Sequence, residues 1–322
     1  MLVIGGTLFI GKELVRRLVA RGDRVTILHR GRSALPAGTV EILCDRNDAD
    51  AVRRALRGRS FDLVFDNVYD WQHGTTAEQV AAAAEACGDK LERYVFISSV
   101  AAYGEGTNLR EDAPLAAAHE EAYIRNKART EQMLFRLHHE RGFPAVTLRP
   151  PYVYGPENPF YREAFFWDRI SQDRPVIVPD DGSRLMQFVY VKDLVGAMLA
   201  AAAAPTAIGQ TYNIANQAPV TQVEAVQALA AAAGREARLV FVPRARIQAL
   251  GGNVFEPPFY FGQYFDLPGI TMSIEKARRD LCFHPTPFAD GLAETYQWYA
   301  SRPHKAEPDF SFDDRLLAAA GR

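Results

Sequence analysis

A chain of 322 residues is long enough for one large domain or two smaller ones around a well-buried core. With 48% hydrophobic and 24% charged residues its composition is that of an ordinary globular protein, which excludes disorder, collagen and coiled coil as descriptions of the whole. Lysine and arginine number 37 and aspartate and glutamate 39, so the formal charge is −2 and nothing global draws the chain to nucleic acid or an anionic membrane.

Cys44, Cys87 and Cys282 lie far apart without CxxC spacing, the pattern of reduced thiols in a cytoplasm rather than of a disulfide framework or zinc site. The adjacent His138 and His139 point to different parts of a helix surface, and no metal site is expected. Met1 to Ile4 runs straight into Gly5-Gly6 without a basic flank or cleavage site, so no signal peptide is expected. The apolar run at 195–204 is too short to span a bilayer.

In chain order, a strand is predicted at 2–4 and a helix at 12–21, where Leu14, Val15, Leu18 and Val19 share a face. Strands follow at 24–28 and 40–43, a helix near 48–57, a strand at 62–65 and a helix at 76–86. A strand at 93–98, a helix from about 120 to 141 and a strand at 145–149 complete the alternation. This order predicts an α/β fold with a doubly wound parallel sheet and right-handed crossovers. After Pro150-Pro151 proline, glycine and aromatic residues become common and elements shorten, which marks a smaller C-terminal region. The chain is expected to return to the sheet near 187–191 and 211–214.

Gly5-Gly6-Thr7-Leu8-Phe9-Ile10-Gly11 follows the first strand and opens the first helix. There, backbone N–H groups at a helix N-terminus can face a pyrophosphate, and a Cβ would block close approach. An NAD site usually has an acidic residue at the end of the second strand, and here the sequence reads His29-Arg30-Gly31-Arg32. Arg30 and Arg32 can instead pair with a 2′-phosphate, so NADP is favoured with NAD as the alternative. Asp45 and Arg46 end the third strand, where they can border the adenine.

Tyr123 and Lys127 are four residues apart on a predicted helix, hence on one face. Ser98-Ser99 ends the fifth strand, at the edge of a parallel sheet that opens into a ligand crevice. The three groups can converge on one carbonyl or carbinol, Ser99 holding the oxygen and Tyr123 moving the proton. The nearby ammonium of Lys127 is expected to lower the phenol's pKa, and Lys127 can also bind the nicotinamide ribose.

The glycine turn, Ser99 and the Tyr123/Lys127 pair resemble those of the extended short-chain dehydrogenase/reductases, in the NAD-dependent epimerase/dehydratase group. The resemblance covers nearly the whole chain, through Phe96 to Gly104, Leu148 to Pro156, Gln187 to Leu194, Tyr212 to Asn216 and Lys276 to Thr286. It implies a Rossmann fold, with residues 1–150 binding the dinucleotide and 151–322 mainly a smaller substrate-binding region. It adds Asn67, Ser98 and Pro150 to the cofactor site and implies hydride transfer on a small-molecule substrate. Leu8 stands where the common family turn has a third glycine, as in an atypical branch that includes chloroplast stem-loop RNA-binding proteins. Tyr152 and Met186 replace the asparagine and the phosphate-pairing arginine of many nucleotide-sugar enzymes. Tyr152, Arg162 and Arg184 are the substrate candidates, with Arg278 a further cation.

The leading expectation is an oxidoreductase or epimerase acting on a sugar or sugar-like molecule. The alternatives are a non-catalytic cofactor- or RNA-binding relative and a reductase of apolar ketones using Phe255, Phe259, Tyr260, Phe261, Tyr264 and Phe265 as a pocket. The same aromatic residues equally suit the core of the smaller region. A homodimer through the helices at 76–86 and 120–141 is expected from the resemblance.

Overall fold

The computed structural model describes residues 1–88, 90–302 and 307–319. Seven strands form one parallel sheet: β1 (Leu2–Ile4), β2 (Val25–His29), β3 (Thr39–Leu43), β4 (Leu63–Asp66), β5 (Arg93–Ile97), β6 (Ala145–Arg149) and β7 (Gln210–Asn213). Their order across the sheet is β7-β6-β5-β4-β1-β2-β3, a Rossmann-like arrangement that reverses direction between β1 and β4. Ligands of open α/β sheets bind beyond the strand carboxyl ends at such a reversal. β1, β5 and β6 are buried along their whole length because both sheet faces are covered, and the polar Arg93, Thr147 and Arg149 among them are buried with hydrogen-bond partners.

One face is covered by α1 (Phe9–Ala20) and α6 (Val191–Ala203), through Leu14, Val15, Leu18, Leu194 and Met198. The other is covered by α2 (Ala49–Leu56), α3 (Ala77–Ala86) and α4 (Ala122–Arg141), through Val52, Leu56, Val80, Leu134 and Leu137. Burying each such side chain is worth roughly 1.5–3 kcal/mol. Local signals start and stop these helices. Thr76 and Gln79 form a reciprocal capping box at the start of α3, and Gly142 ends α4 in the left-handed conformation at φ 68°.

The strand at 210–213 extends the sheet by pairing with β6, in the register Thr211 to Thr147. The segment near 187–191 does not join it. Phe188–Tyr190 pairs in parallel with Tyr152–Tyr154, in a separate two-stranded sheet. The cause is Pro150-Pro151, which lacks N–H donors to continue the β6 ladder and turns the chain away. Two further parallel pairs, Val176–Pro179 with Leu239–Val242 and Gly106–Leu109 with Ile270–Met272, lie outside the main sheet. The larger core cluster contains Leu14 and Val95 together with Trp167 and Phe261, so the two halves of the chain share one core. Among the described residues no helix is long and apolar enough to cross a membrane.

α1 is set against the end of β1 by Gly11, where a Cβ would lie 1.9 Å from the Gly5 carbonyl oxygen. Because the obstacle is backbone, Gly11→Ala is expected to destabilise the fold by about 1–3 kcal/mol in urea denaturation. An unchanged midpoint would show that this contact yields freely.

Candidate active site

The turn between β1 and α1 is built for close approach. Gly5 has φ 85°, and a Cβ there would lie 2.7 Å from the Cβ of Val68. Phe9 adopts φ 40°, a strained conformation for a bulky residue that its buried ring helps to hold. Leu8 occupies the N-cap position of α1 without a side-chain cap, 61% exposed, and the first turn carries no acidic residue. The amides of Phe9, Ile10 and Gly11 have no hydrogen-bond partner among the described residues. Open amides at the positive end of a helix fit the pyrophosphate of a dinucleotide. Lys12 crosses the turn to Glu157 at 2.6 Å.

The residues expected around the adenosine half fare differently. Arg30 pairs with Asp70 at 2.9 Å, while Arg32 is exposed. Asp45 is exposed and accepts from the Asn47 amide. Arg46 does not border the cleft with its charged group. Its guanidinium is buried, paired with Asp66 and donating to the Gln79 carbonyl, because Asp66 at the end of β4 is itself fully buried and needs a partner. Asn67 donates from Nδ2 to the Ile4 carbonyl at 3.0 Å, which ties the loop after β4 to the glycine turn.

That loop runs on to Tyr123. Tyr69 meets Tyr123 edge-to-face at 4.8 Å, and Trp71 stacks on it at 4.8 Å. Tyr123 and Lys127 share one face of α4, with the Lys127 Nζ 5.9 Å from the Tyr123 ring centroid and 2.6 Å from the Ile97 carbonyl oxygen. Ser99 Oγ accepts from the Ala101 amide at 3.1 Å and interacts with the Tyr123 phenol. The turn that presents Ser99 is held to the end of β6 by the Val100 amide donating to the Pro150 carbonyl. Ser98 is placed otherwise. Its hydroxyl donates inward to Glu131, and the residue is 3% exposed.

The pKa balance departs from the expectation that Lys127 lowers the phenol. Burial pushes Tyr123 up to about 12, against the opposing pull of Ser99 and Arg162. Burial also brings Lys127 down to about 8, against the raising effect of Asp66 and Glu131. Desolvation therefore outweighs the charge pairing in both groups.

Around the substrate candidates the aromatic segment divides. Tyr260, Phe261 and Phe265 are buried in the core, Phe255 is exposed, and Tyr264 stacks on Trp71 at 5.8 Å. The Tyr152 hydroxyl donates to the Tyr264 carbonyl. Arg184 is tied to Asp266 at 3.0 Å, and Asp266 also accepts from Arg244, Tyr260 and Gln222. Arg162 is 8% exposed and lies within 5.5 Å of the ring centroids of Phe160, Tyr152 and Tyr264.

Sequence reasoning missed Tyr69, Trp71, Phe160 and the buried Glu131. A signal for Glu131 was present, since it follows Lys127 by four residues on the same helix face. Trp71 follows the carboxyl end of β4, where ligand contacts are expected, but nothing local shows that the loop folds over Tyr123.

The NAD dependent epimerase/dehydratase family model matches residues 1–215. The chain is 31% identical to the chloroplast stem-loop binding protein of 41 kDa b from Arabidopsis thaliana, over 99% of this chain and 84% of that one. It is 28% identical to a 2-alkyl-3-oxoalkanoate reductase from Stenotrophomonas maltophilia, over 88% and 94%. The UDP-glucose 4-epimerase of Thermus thermophilus, solved in complex with NAD, superposes with a TM-score of 0.74 at 25% identity, over 94% and 99% of the two chains.

The buried Lys127 yields a stability signature. Its folded pKa of about 8 lies below the ordinary 10.5, so its charge weakens the fold below pH 8. Between pH 8 and 10.5 the unfolded chain binds the extra proton, and stability rises with pH. Lys127→Met is therefore expected to be more stable than wild type at pH 7, by up to about 3 kcal/mol. That advantage should shrink above pH 8 in urea melts, and a constant difference would contradict the depressed pKa.

Proposed function

The chain belongs to the NAD dependent epimerase/dehydratase family, and on that premise we propose that it moves hydride at a hydroxyl or carbonyl carbon of a sugar or sugar-like substrate, with Tyr123 as acid–base. The observation that carries this reading is the meeting of Tyr123, Lys127 and Ser99 at the strand ends, joined to the glycine turn by the loop from Asn67 to Trp71.

A bound nicotinamide dinucleotide supplies the hydride acceptor or donor. The open amides of α1 would hold its pyrophosphate, and Asn67 and Lys127 would line the path toward the ribose. Tyr123, titrating near 12, holds its proton at neutral pH and can give it to a carbonyl oxygen as that oxygen gains charge. In the oxidative direction it must first lose that proton, which positive charge beside it favours. Arg162 supplies such a charge, and Lys127, still largely protonated at pH 7, lies 5.9 Å from the ring centroid. Ser99 Oγ accepts from Ala101 and its one hydrogen faces the Tyr123 phenol, so a substrate oxygen entering between the two would take that donor over. The Stenotrophomonas relative is named as a reductase and the Thermus structure as a nucleotide-sugar epimerase, and both chemistries suit this arrangement.

NADP is the finer reading. The end of β2 presents Arg30 and Arg32 and no acidic side chain. A 2′-phosphate would compete with Asp70 for Arg30. A cytoplasmic homodimer through α3 and α4 completes the proposal, and a monomer in light scattering would remove that part.

A second reading, an RNA-binding protein that has lost turnover, draws on the 31% identity to the stem-loop binding protein. Retention on RNA that falls steeply with salt, without turnover of any sugar, would favour it.

Tyr123→Phe is expected to lower turnover at least about 100-fold and to leave dinucleotide affinity unchanged. Retained turnover would remove Tyr123 from its role. In parallel calorimetric titrations, replacing Arg30 and Arg32 with alanine should weaken NADP at least about tenfold without changing NAD. Tighter binding of NAD than NADP by the wild type would overturn the NADP assignment.

A further inference from the structure

Arg162 is a buried cation that no carboxylate among the described residues contacts directly. It precedes α5 (Glu163–Ile170), is 8% exposed, and forms no ion pair with any carboxylate among the described residues. The only hydrogen bonds of its guanidinium among those residues are long ones, from Nε to the Gln263 carbonyl at 3.3 Å and from Nη1 to the Val153 carbonyl at 3.4 Å. Nη2 bonds to nothing among the described residues, yet it is not one of the fully sealed, unsatisfied atoms, so it keeps some accessible surface. The adjacent Glu163 turns elsewhere, accepting from Asn158 at 2.8 Å, and burial pushes its pKa up to about 7, so it neutralises Arg162 only in part.

The surroundings point from Arg162 toward the reacting atoms. Phe160 lies 4.5 Å and Tyr264 5.5 Å from the guanidinium carbon, measured to their ring centroids. Tyr264 is held at φ 69°, a strained conformation for a large residue. Both rings contact Trp71, which in turn stacks on Tyr123, and the charge of Arg162 favours the phenolate form of Tyr123. Ring faces offset only part of the cost of stripping water from a guanidinium. A buried guanidinium held only by two long bonds, with Nη2 unpaired beside one phenol, marks a ligand site rather than packing.

From this arrangement we infer that Arg162 binds a carboxylate of the substrate, whose reacting carbon lies at Tyr123. The substrate class is a hydroxy or oxo acid, a uronate-like sugar acid included. The inference rests on Tyr123 as the acid–base and extends that reading to the substrate. A planar monoanion matches one guanidinium fork. A diphosphate would call for further free cations, and here Arg184 and Arg244 are both engaged by Asp266, while Met186 is apolar and buried.

The test titrates the dinucleotide-saturated protein with matched pairs that differ only in the carboxylate. These are D-glucuronate with D-glucose, D-galacturonate with D-galactose, and 3-hydroxybutyrate with butan-2-ol. At least one acid should bind at least tenfold more tightly than its neutral partner. Arg162→Gln should erase that preference, and Arg162→Lys should keep part of it. If Arg162→Gln does not fold, the wild-type preference and its weakening in Arg162→Lys decide. No preference in any pair, an unchanged preference in Arg162→Gln, or tight UDP binding without acid preference would overturn the inference. Tyr123→Phe separates the two readings, since it should keep the acid preference and lose turnover. Turnover retained there beside an Arg162-dependent preference would sink only the acid–base role.

Discussion

The Glu131 carboxylate, fully buried on α4, is the contact on which the rest of the site depends. It accepts from Ser98 at the end of β5, from Thr147 and Arg149 on β6, and more weakly from Thr211 on β7. One side chain thus fixes the helix that carries Tyr123 and Lys127 against three neighbouring strands. Arg149 passes the constraint on through the Tyr103 hydroxyl, which donates in turn to Asn213. Tyr103 ends the turn that begins beside Ser99, so phenol and hydroxyl are set from the same buried anchor. A charge pair buried this deeply loses much of its Coulomb gain to desolvation, and its value lies in specifying one arrangement rather than in net stability.

That rigidity explains why the candidate catalytic groups can tolerate an unfavourable electrostatic setting. Tyr123 and Lys127 sit where burial disfavours the charged form of each. A fold selected for stability alone would replace Lys127 with an apolar side chain. Keeping an ammonium under the sheet edge, bonded to the Ile97 carbonyl, makes sense where its charge is needed as a phenol exchanges a proton.

The substrate side follows a different logic. Aromatic rings from three segments, the loop after β4, the stretch before α5 and the 255–265 stretch, close around Tyr123 and Arg162. Only Tyr264 of the 255–265 residues reaches this group through Trp71 at close stacking distance, while Tyr260, Phe261 and Phe265 fill the core. The cations nearest to a nucleotide-sugar reading, Arg184 and Arg244, converge instead on Asp266. Aromatic content in the sequence therefore overstated the pocket, and the number of arginines overstated the available positive charge.

The sequence by itself determined the parallel sheet, the glycine turn and the Tyr123/Lys127 face, because each depends on spacing within a short segment. Alternating apolar runs define β1 to β6 to within a residue or two, and a four-residue spacing on a helix has one geometric meaning. Tertiary structure alone decided which polar groups are free. Arg46, Arg184 and Ser98 look available in sequence, yet each is engaged by a carboxylate that folding brings from 20 to 82 residues away. It also decided where Phe188–Tyr190 pairs, since the edge of β6 is taken by β7 and Pro150-Pro151 breaks the ladder. Trp71 and Arg162 come within reach of Tyr123 for the same reason: burial and long-range pairing are properties of the folded chain, not of any window along it.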